Sequence, residues 1–373
     1  MRCPRLLRLA GLLIVLSATA RPANAVAAAP ELDLGGRVQP LPPSHRFSLP
    51  GYHVWCGAPV AGPDGRYHLF YSRWPASKSF APGWAIHSEI AYAVADRPEG
   101  PYVPVNVALP GRGINPATGE KYWDGDVAHN PNAFHHAGRY YLYYTGNHGD
   151  GTYWSHRNRQ RIGLAVADNP AGPWRRSDRP ILDITDDQKS FDSLCVTSPA
   201  ACLRPDGGLL LVYKAVEYVE GVVKGGRVRY GAAVADSPDG PCRKVAGDIF
   251  NAPASGNAEG MCAEDPFIWF SQKYGRRYYA VASDAQGKLT GQKKGLALLE
   301  STDGLAWRPA GHAKVLDRRF RLADGHPSAY GMERPALLMK DDEPQLLFGA
   351  TDGYNVVSGR PSSNVQIPLG PAP

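Results

Sequence analysis

The sequence predicts an all-β fold: a five-bladed β-propeller built from four-stranded antiparallel blades. Two observations carry this. An alternating aromatic and aliphatic strand recurs five times at close to 70-residue spacing, at Arg66–Ser72, Arg139–Thr145, Gly208–Lys214, Arg277–Ser283 and Pro344–Ala350. A proline marks the segment before each copy: Pro59, Pro131, Pro199, Pro266 and Pro335. A supersecondary unit repeated at this period and rich in short strands is the signature of a radial array of blades.

Each unit reads in the same order. A proline-led strand comes first, then a tight turn such as Asp64-Gly65 or Asp206-Gly207, then the aromatic strand. A small-residue strand follows, at Ala93–Asp96, Ala165–Asp168, Ala233–Asp236 and, more weakly, Leu296–Ser301. An outer strand completes the unit. Proline is expected at the first residue of the inner strands, where no ladder hydrogen bond is lost. Gly111–Lys121 reads as an inserted loop between the first two blades. The last blade is short, and the segment Glu31–Leu49 is expected to supply its outer strand and close the ring.

Residues 1–25 read as an export signal. Arg2, Arg5 and Arg8 precede an apolar run from Leu9 to Leu16, and Ala23-Asn24-Ala25 fits a small-residue cleavage site. Residues 26–373 then form one propeller domain, secreted or periplasmic. The formal net charge is +6. Arg2, Arg5, Arg8 and Arg21 belong to the leader, so the rest of the chain is only weakly basic and nucleic acid is not implied. No later run is long and apolar enough to cross a bilayer. Five cysteines lie beyond the leader at spacings that match no zinc site; they are expected to be mostly buried thiols.

Inner strands line the central axis, so the residues before each proline converge on one mouth of the channel. These are Gly57-Ala58, His129-Asn130, Thr197-Ser198, Glu264-Asp265 and Glu333-Arg334. A second set of acids stands seven residues before the prolines: Asp124 after Trp123, Asp192 after Phe191, and Glu259. The returning strands bring Arg73, Lys214 and, in the third strand of blade 2, Arg161 towards the same rim. Convergent carboxylates beside aromatics suit glycoside hydrolysis, in which one carboxylic acid protonates the leaving oxygen and a second carboxylate activates water or attacks the sugar. Glu264 is the expected acid, with Asp124 or Asp192 as its partner. Expected substrate-binding residues are His129, Asn130, Asp265, Glu333, Arg334, Arg73, Lys214 and Trp123, with Tyr122, Tyr153 and Trp154 as further stacking candidates. The cations among them suggest an anionic sugar. No Gly-x-Ser-x-Gly elbow, His-Glu-x-x-His motif or phosphate-binding glycine loop competes.

With these features the chain resembles the five-bladed propeller glycosidases of the arabinanase, levansucrase and invertase superfamily, as a divergent relative of glycoside hydrolase family 43. The resemblance covers nearly all of the chain beyond the leader. It implies an inverting enzyme with an Asp base in blade 1, a tuning Asp in blade 2 and a Glu acid in blade 4. Glu264, in Ala263-Glu264-Asp265-Pro266, matches the acid. Trp55-Cys56-Gly57-Ala58-Pro59 carries no acid in blade 1, and Asn130 stands where the tuning Asp is expected. The resemblance requires no cofactor and is compatible with a structural calcium or sodium ion in the channel, for which His326 is a candidate ligand.

The expectation is therefore an exo-acting hydrolase of oligosaccharides from plant or algal polysaccharide, working as a monomer. Two alternatives remain: a propeller that binds glycans without cleaving them, and a lyase acting on uronate-containing glycan, which needs a His or Tyr base beside the uronate.

Overall fold

The computed structural model describes Met1 and residues 29–250, 261–353 and 360–371. Residues 2–25 of the expected export signal and Glu259 lie outside the described residues. Among the described residues, twenty strands form five four-stranded antiparallel sheets. Blade 1 holds β2 (Tyr52–Ala61), β3 (Tyr67–Pro75), β4 (Glu89–Ala95) and β5 (Val103–Leu109). Blade 2 holds β6 (Val127–His136), β7 (Arg139–Asn147), β8 (Arg161–Ala167) and β9 (Arg175–Arg176). Blade 3 holds β10 (Cys195–Leu203), β11 (Leu209–Val216), β12 (Val228–Ala235) and β13 (Arg243–Gly247). Blade 4 holds β14 (Ala263–Ser271), β15 (Arg277–Asp284), β16 (Leu296–Ser301) and β17 (Arg308–Leu316). Blade 5 holds β18 (Glu333–Lys340), β19 (Glu343–Thr351) and β20 (Ser363–Pro368), and β1 (Arg46–Phe47) adds to β20 as its outer strand.

The predicted closure is thus formed: Arg46 pairs with Val365 and Phe47 with Asn364. Upstream, buried Arg37 reinforces it. Its guanidinium donates to Glu343 at 2.5 Å, to the Pro344 carbonyl at 2.7 Å and to the Gly370 carbonyl at 2.8 Å. Leu32, Leu34 and Leu41 pack in the core between blades 4 and 5. The other cores also lie between neighbouring blades, such as the Tyr141, Tyr143, Leu211 and Tyr213 cluster of blades 2 and 3. Alternation along each strand places one apolar face against each neighbour, so every central strand is buried on both sides.

The prolines do not open the inner strands. They sit inside them, at a bulge. Pairing shifts between His129 and Asn132, Thr197 and Ala200, Glu264 and Phe267, and Glu333 and Ala336, with Pro131, Pro199, Pro266 and Pro335 in the gaps. A bulge leaves a residue out of the ladder, which frees the position for a residue with no N–H. The residue before each proline takes a left-handed conformation: Asn130, Ser198, Asp265 and Arg334 have φ of 52–55°. In blade 1 the shift falls between Trp55 and Ala58, and Cys56 has φ 53°. Gly57, not Pro59, therefore occupies the equivalent place. Trp55-Cys56, rather than Gly57-Ala58, belongs to the ring at the mouth.

Among the described residues, two short α-helices lie at matching places, between the second and third strands of blades 1 and 2. They are α1 (Phe80–Ile86) and α2 (Tyr153–Asn158), and they touch each other.

Candidate functional site

The five bulges aim their side chains at the axis and knit a polar ring. The Cys56 thiol donates to Asn130 Oδ1 at 3.0 Å, and Asn130 Nδ2 donates to Ser198 Oγ at 3.0 Å. Arg334 donates to Ser198 Oγ at 3.0 Å and pairs with Asp265 at 2.8 Å. Burial pushes the Cys56 thiol up to about 12, so it stays protonated. The hydroxyls of the second strands support the ring from behind: the Asn130 N–H donates to Ser72 Oγ and the Ser198 N–H to Thr145 Oγ1. At the next place round, the register of blade 3 sets Lys214 where Ser72 and Thr145 stand, and the Asp265 N–H turns to the Tyr230 hydroxyl at 2.7 Å. Beneath the ring runs a narrow axial channel lined by the bulge prolines.

Above the ring opens a pocket of about 460 Å³ with two unlike walls. Trp55, Phe80, Trp84 and Tyr153 make the aromatic wall. Trp84 stacks on His129 (centroids 5.5 Å apart), Tyr153 meets Trp84 edge-on, and Phe80 meets Trp55 edge-on. His129 is buried, and burial and the Arg334 charge hold its pKa well below the usual value, so the ring is neutral. Its Nδ1 shares a hydrogen bond of 2.8 Å with Ser88 Oγ.

Lys214, Glu264, Asp265, Lys294, Glu333 and Arg334 make the charged wall. Lys214 contacts Glu264 Oε1 at 2.8 Å and Asp265 at 3.3 Å, and Lys294 contacts Glu264 Oε2 at 2.8 Å. The Lys214 charge, with help from Lys294 and against burial, holds the Glu264 carboxyl far below the usual carboxylate range. Glu333 differs: it forms no ion pair among the described residues. Burial raises its pKa, and the neighbouring Asp265 and Glu264 charges add to the rise while Lys294 and Arg334 oppose it. The surroundings thus shift two carboxyls on adjoining blades in opposite directions, Glu333 up and Glu264 down.

Of the residues singled out from the sequence, Glu264, Asp265, Glu333, Arg334, His129, Asn130 and Lys214 meet in this pocket. Asp124, Asp192, Trp123 and Arg73 are not among the residues that line it. Asp124 is fully buried and accepts from the Tyr144 hydroxyl at 2.7 Å while pairing with Arg112 at 2.7 Å and Arg176 at 3.1 Å. Asp192 repeats the arrangement with the Tyr213 hydroxyl at 3.0 Å and Lys244 at 2.6 Å. The aromatic before each acid explains the repeat. Trp123 packs so closely over Gly146 and Gly163 that a Cβ on either would come within 2.6 Å of its ring, and Phe191 covers Gly231 and Gly247 in the same way. These Asp residues fasten a loop to the flank of a blade.

Arg73 pairs with Glu89 at 2.8 Å and stacks on Tyr52, and Arg161 pairs with Asp183. Together with the pairs of Lys214 and Arg334, this commits all four cations from which an anionic substrate was expected. Tyr122 lies under Arg112, Trp154 is exposed on α2 beside the pocket, and His326 is exposed on a turn. No group of three or more His, Cys, Asp or Glu side chains suited to a metal ion occurs among the described residues.

Sequence reasoning missed Trp55, Phe80, Trp84, Arg157 and Lys294. Phe80, Trp84 and Arg157 lie on or beside the two helical insertions, outside the repeated strands. The available signal was that aromatics cluster in the same inter-strand segment of two successive blades.

No family model matches the chain, and no curated protein matches its sequence. Solved structures do match. One, a complex of BT0996 with RGII, aligns over 90% of this chain and 92% of its own, at 15% identity and a TM-score of 0.63. Zg3597, a family 117 glycoside hydrolase from the marine bacterium Zobellia galactanivorans, aligns over 90% of each chain at 17% identity and a TM-score of 0.57. CoXyl43, a family 43 β-xylosidase/α-arabinofuranosidase from a compost metagenome solved with xylotriose, aligns over 90% of this chain and 94% of its own, at 14% identity and a TM-score of 0.54. Identities this low speak for the fold alone, and the chain shares the five-bladed propeller fold of the family 43 and family 117 glycoside hydrolases.

Proposed function

We propose that this chain is an exo-acting glycoside hydrolase that cleaves with inversion, with Glu333 as general acid and Glu264 as the ionised carboxylate. The observation that carries this is the contrast between the two carboxyls inside one aromatic-walled pocket. Glu333 has no ion pair among the described residues and is raised by burial, which suits a proton donor. Glu264 has one ammonium on each oxygen, which suits a group that stays charged and is poorly placed to attack carbon. In this reading a sugar ring stacks on Trp84 or Tyr153. Glu333 gives its proton to the glycosidic oxygen as the C1–O bond breaks, and a water oriented by the charged Glu264 carboxylate adds to C1 while its proton passes to solvent water. The helical insertions that wall one side of the pocket support attack on a chain end. The basic, apolar and small-residue pattern of residues 1–25 supports export, and the work would then be done outside the cytoplasm.

A panel of aryl glycosides and oligosaccharides, with reducing-end analysis and NMR of the first-formed anomer, tests the reading. Turnover that survives Glu333→Gln within a few-fold removes Glu333 as the acid, and retention of configuration removes the inverting step. A second reading, glycan binding without cleavage, is favoured by the ion pairs that already occupy Glu264 and Asp265. Saturable binding of an oligosaccharide with no turnover across the panel would select it.

A further inference from the structure

The pocket brings four cations against three carboxyls: Arg157, Lys214, Lys294 and Arg334 against Glu264, Asp265 and Glu333. Three of the cations are committed to Glu264 or Asp265. Arg157 is not. One of its terminal nitrogens donates to the Lys224 carbonyl and to Asn158 Oδ1, both at 3.0 Å, and the guanidinium lies 5.7 Å from the centre of the Trp154 ring. All of these partners are neutral. Among the described residues it has no carboxylate partner and no bond from Nε or from its second terminal nitrogen. One edge of the guanidinium is therefore anchored while the remaining donors stay free at the pocket wall.

We propose that Arg157 recognises the carboxylate of an acidic sugar, so that the substrate is a uronate-bearing oligosaccharide. The proposal names the substrate class of the hydrolase proposed above and rests on that reading. Three observations converge. A planar guanidinium fixed along one edge offers parallel N–H donors that match a carboxylate. The anchoring bonds and the aromatic contact limit the entropy lost when it binds. The pocket also holds more cations than anions, and the excess grows when Glu333 is protonated, so an incoming anion relieves like-charge repulsion. Unlike Arg73 and Arg161, whose charges are matched by Glu89 and Asp183, Arg157 has an unmatched charge at the site itself.

The test compares oligosaccharides ending in a glucuronate or galacturonate residue with their carboxyl-reduced forms and with a sulfated counterpart. Wild-type protein should favour the uronate over the reduced form by at least about tenfold in kcat/KM, the scale of one charge-assisted hydrogen bond. Arg157→Gln should bring that ratio close to one, and Arg157→Lys should restore part of it because charge remains without the fork. Calorimetric binding of the same sugars to wild type and Arg157→Gln gives the ratio independently of cleavage. Absence of turnover with uronate-selective, Arg157-dependent binding would sink the hydrolase and keep the recognition site. Equal use or binding of uronate and reduced sugar, a ratio unmoved by Arg157→Gln, or a clear preference for the sulfated sugar would overturn the proposal.

Discussion

The acids between the blades and Glu333 at the mouth occupy equally regular places in the repeat, yet their settings are opposite. Asp124 and Asp192 are saturated: each accepts a tyrosine hydroxyl and at least one cation, and each is shut off from solvent. Glu333, at the edge of a cavity, forms no ion pair among the described residues. Recurrence at a fixed phase identifies equivalent backbone positions, but a side chain seven residues upstream of the bulge points to the flank of the blade, whereas one at the bulge points to the axis. The pairs of Asp124 and Asp192 hold the framework, whereas the setting of Glu333 suits the proton-donor role proposed for it.

The largest expected effect tests the framework side of that contrast. Asp124→Ala removes a fully buried carboxylate and leaves half-buried Arg176 without its ion pair and Arg112 with only the exposed Asp178, which should cost about 3–5 kcal/mol, measured by denaturant unfolding. Activity per folded molecule should change little. Lost activity at unchanged stability would instead place Asp124 in the chemistry.

Glu333→Gln should do the reverse. Turnover falls at least about a hundredfold, the usual weight of general acid catalysis, while the unfolding midpoint holds or rises slightly because a buried group that resists ionisation has been made neutral. The pH profile sharpens the same point. A general acid must be protonated, and the Glu333 pKa stands above the ordinary value of 4.5. The wild-type kcat/KM should therefore fall as pH rises through that raised pKa. A profile flat from pH 4 to 9 would contradict the assignment.

Asp192→Asn should give the smallest change, about 1–2 kcal/mol, since Asp192 has a single and more accessible cation, Lys244. Burial alone would raise the Asp192 pKa, but its hydrogen bonds from Lys244, Ser190 and Thr185 hold it below the ordinary value of 3.8. Its stabilising contribution is thus present above that value and is lost as pH falls through the folded pKa. The variant should lose part of the acid limb of the stability curve below about pH 4, and an unaltered limb would mean Asp192 contributes nothing there.

The blades were legible because the core pattern repeats: Tyr141, Tyr143, Leu211 and Tyr213 are apolar at two-residue spacing and fall at matching places in successive units. The ring at the mouth was largely legible too, through Glu264, Asp265, Glu333 and Arg334. Blade 1 was misphased by two residues because Pro59 imitates the marker while Gly57 fills the bulge. Phe80, Trp84 and Arg157 escaped because they belong to insertions, where neither strand alternation nor repeat spacing constrains the side chains, and Trp55 escaped with the misphasing of blade 1. The opposite pKa shifts of Glu264 and Glu333 could not be read at all. They depend on Lys214 and Lys294, which are distant in sequence from both.

The clasp between the two ends of the ring has a consequence for how the molecule forms. Arg37 meets Gly370 across 333 residues of chain, and β1 has nothing to pair with until β20 exists. Loop-closure entropy grows only with the logarithm of that separation, so the equilibrium cost is modest. The kinetic cost is larger, because contacts this distant in sequence form slowly. Four blades can assemble in order from the N-terminal side, whereas the fifth waits for the last strand. Until then the edges of β19 and of the incomplete core around Leu32 and Leu34 stay open, and an unpaired strand edge is a template for association with other chains. Removing residues 363–371 should therefore harm solubility as much as removing residues 29–47, although the two segments lie at opposite ends of the sequence.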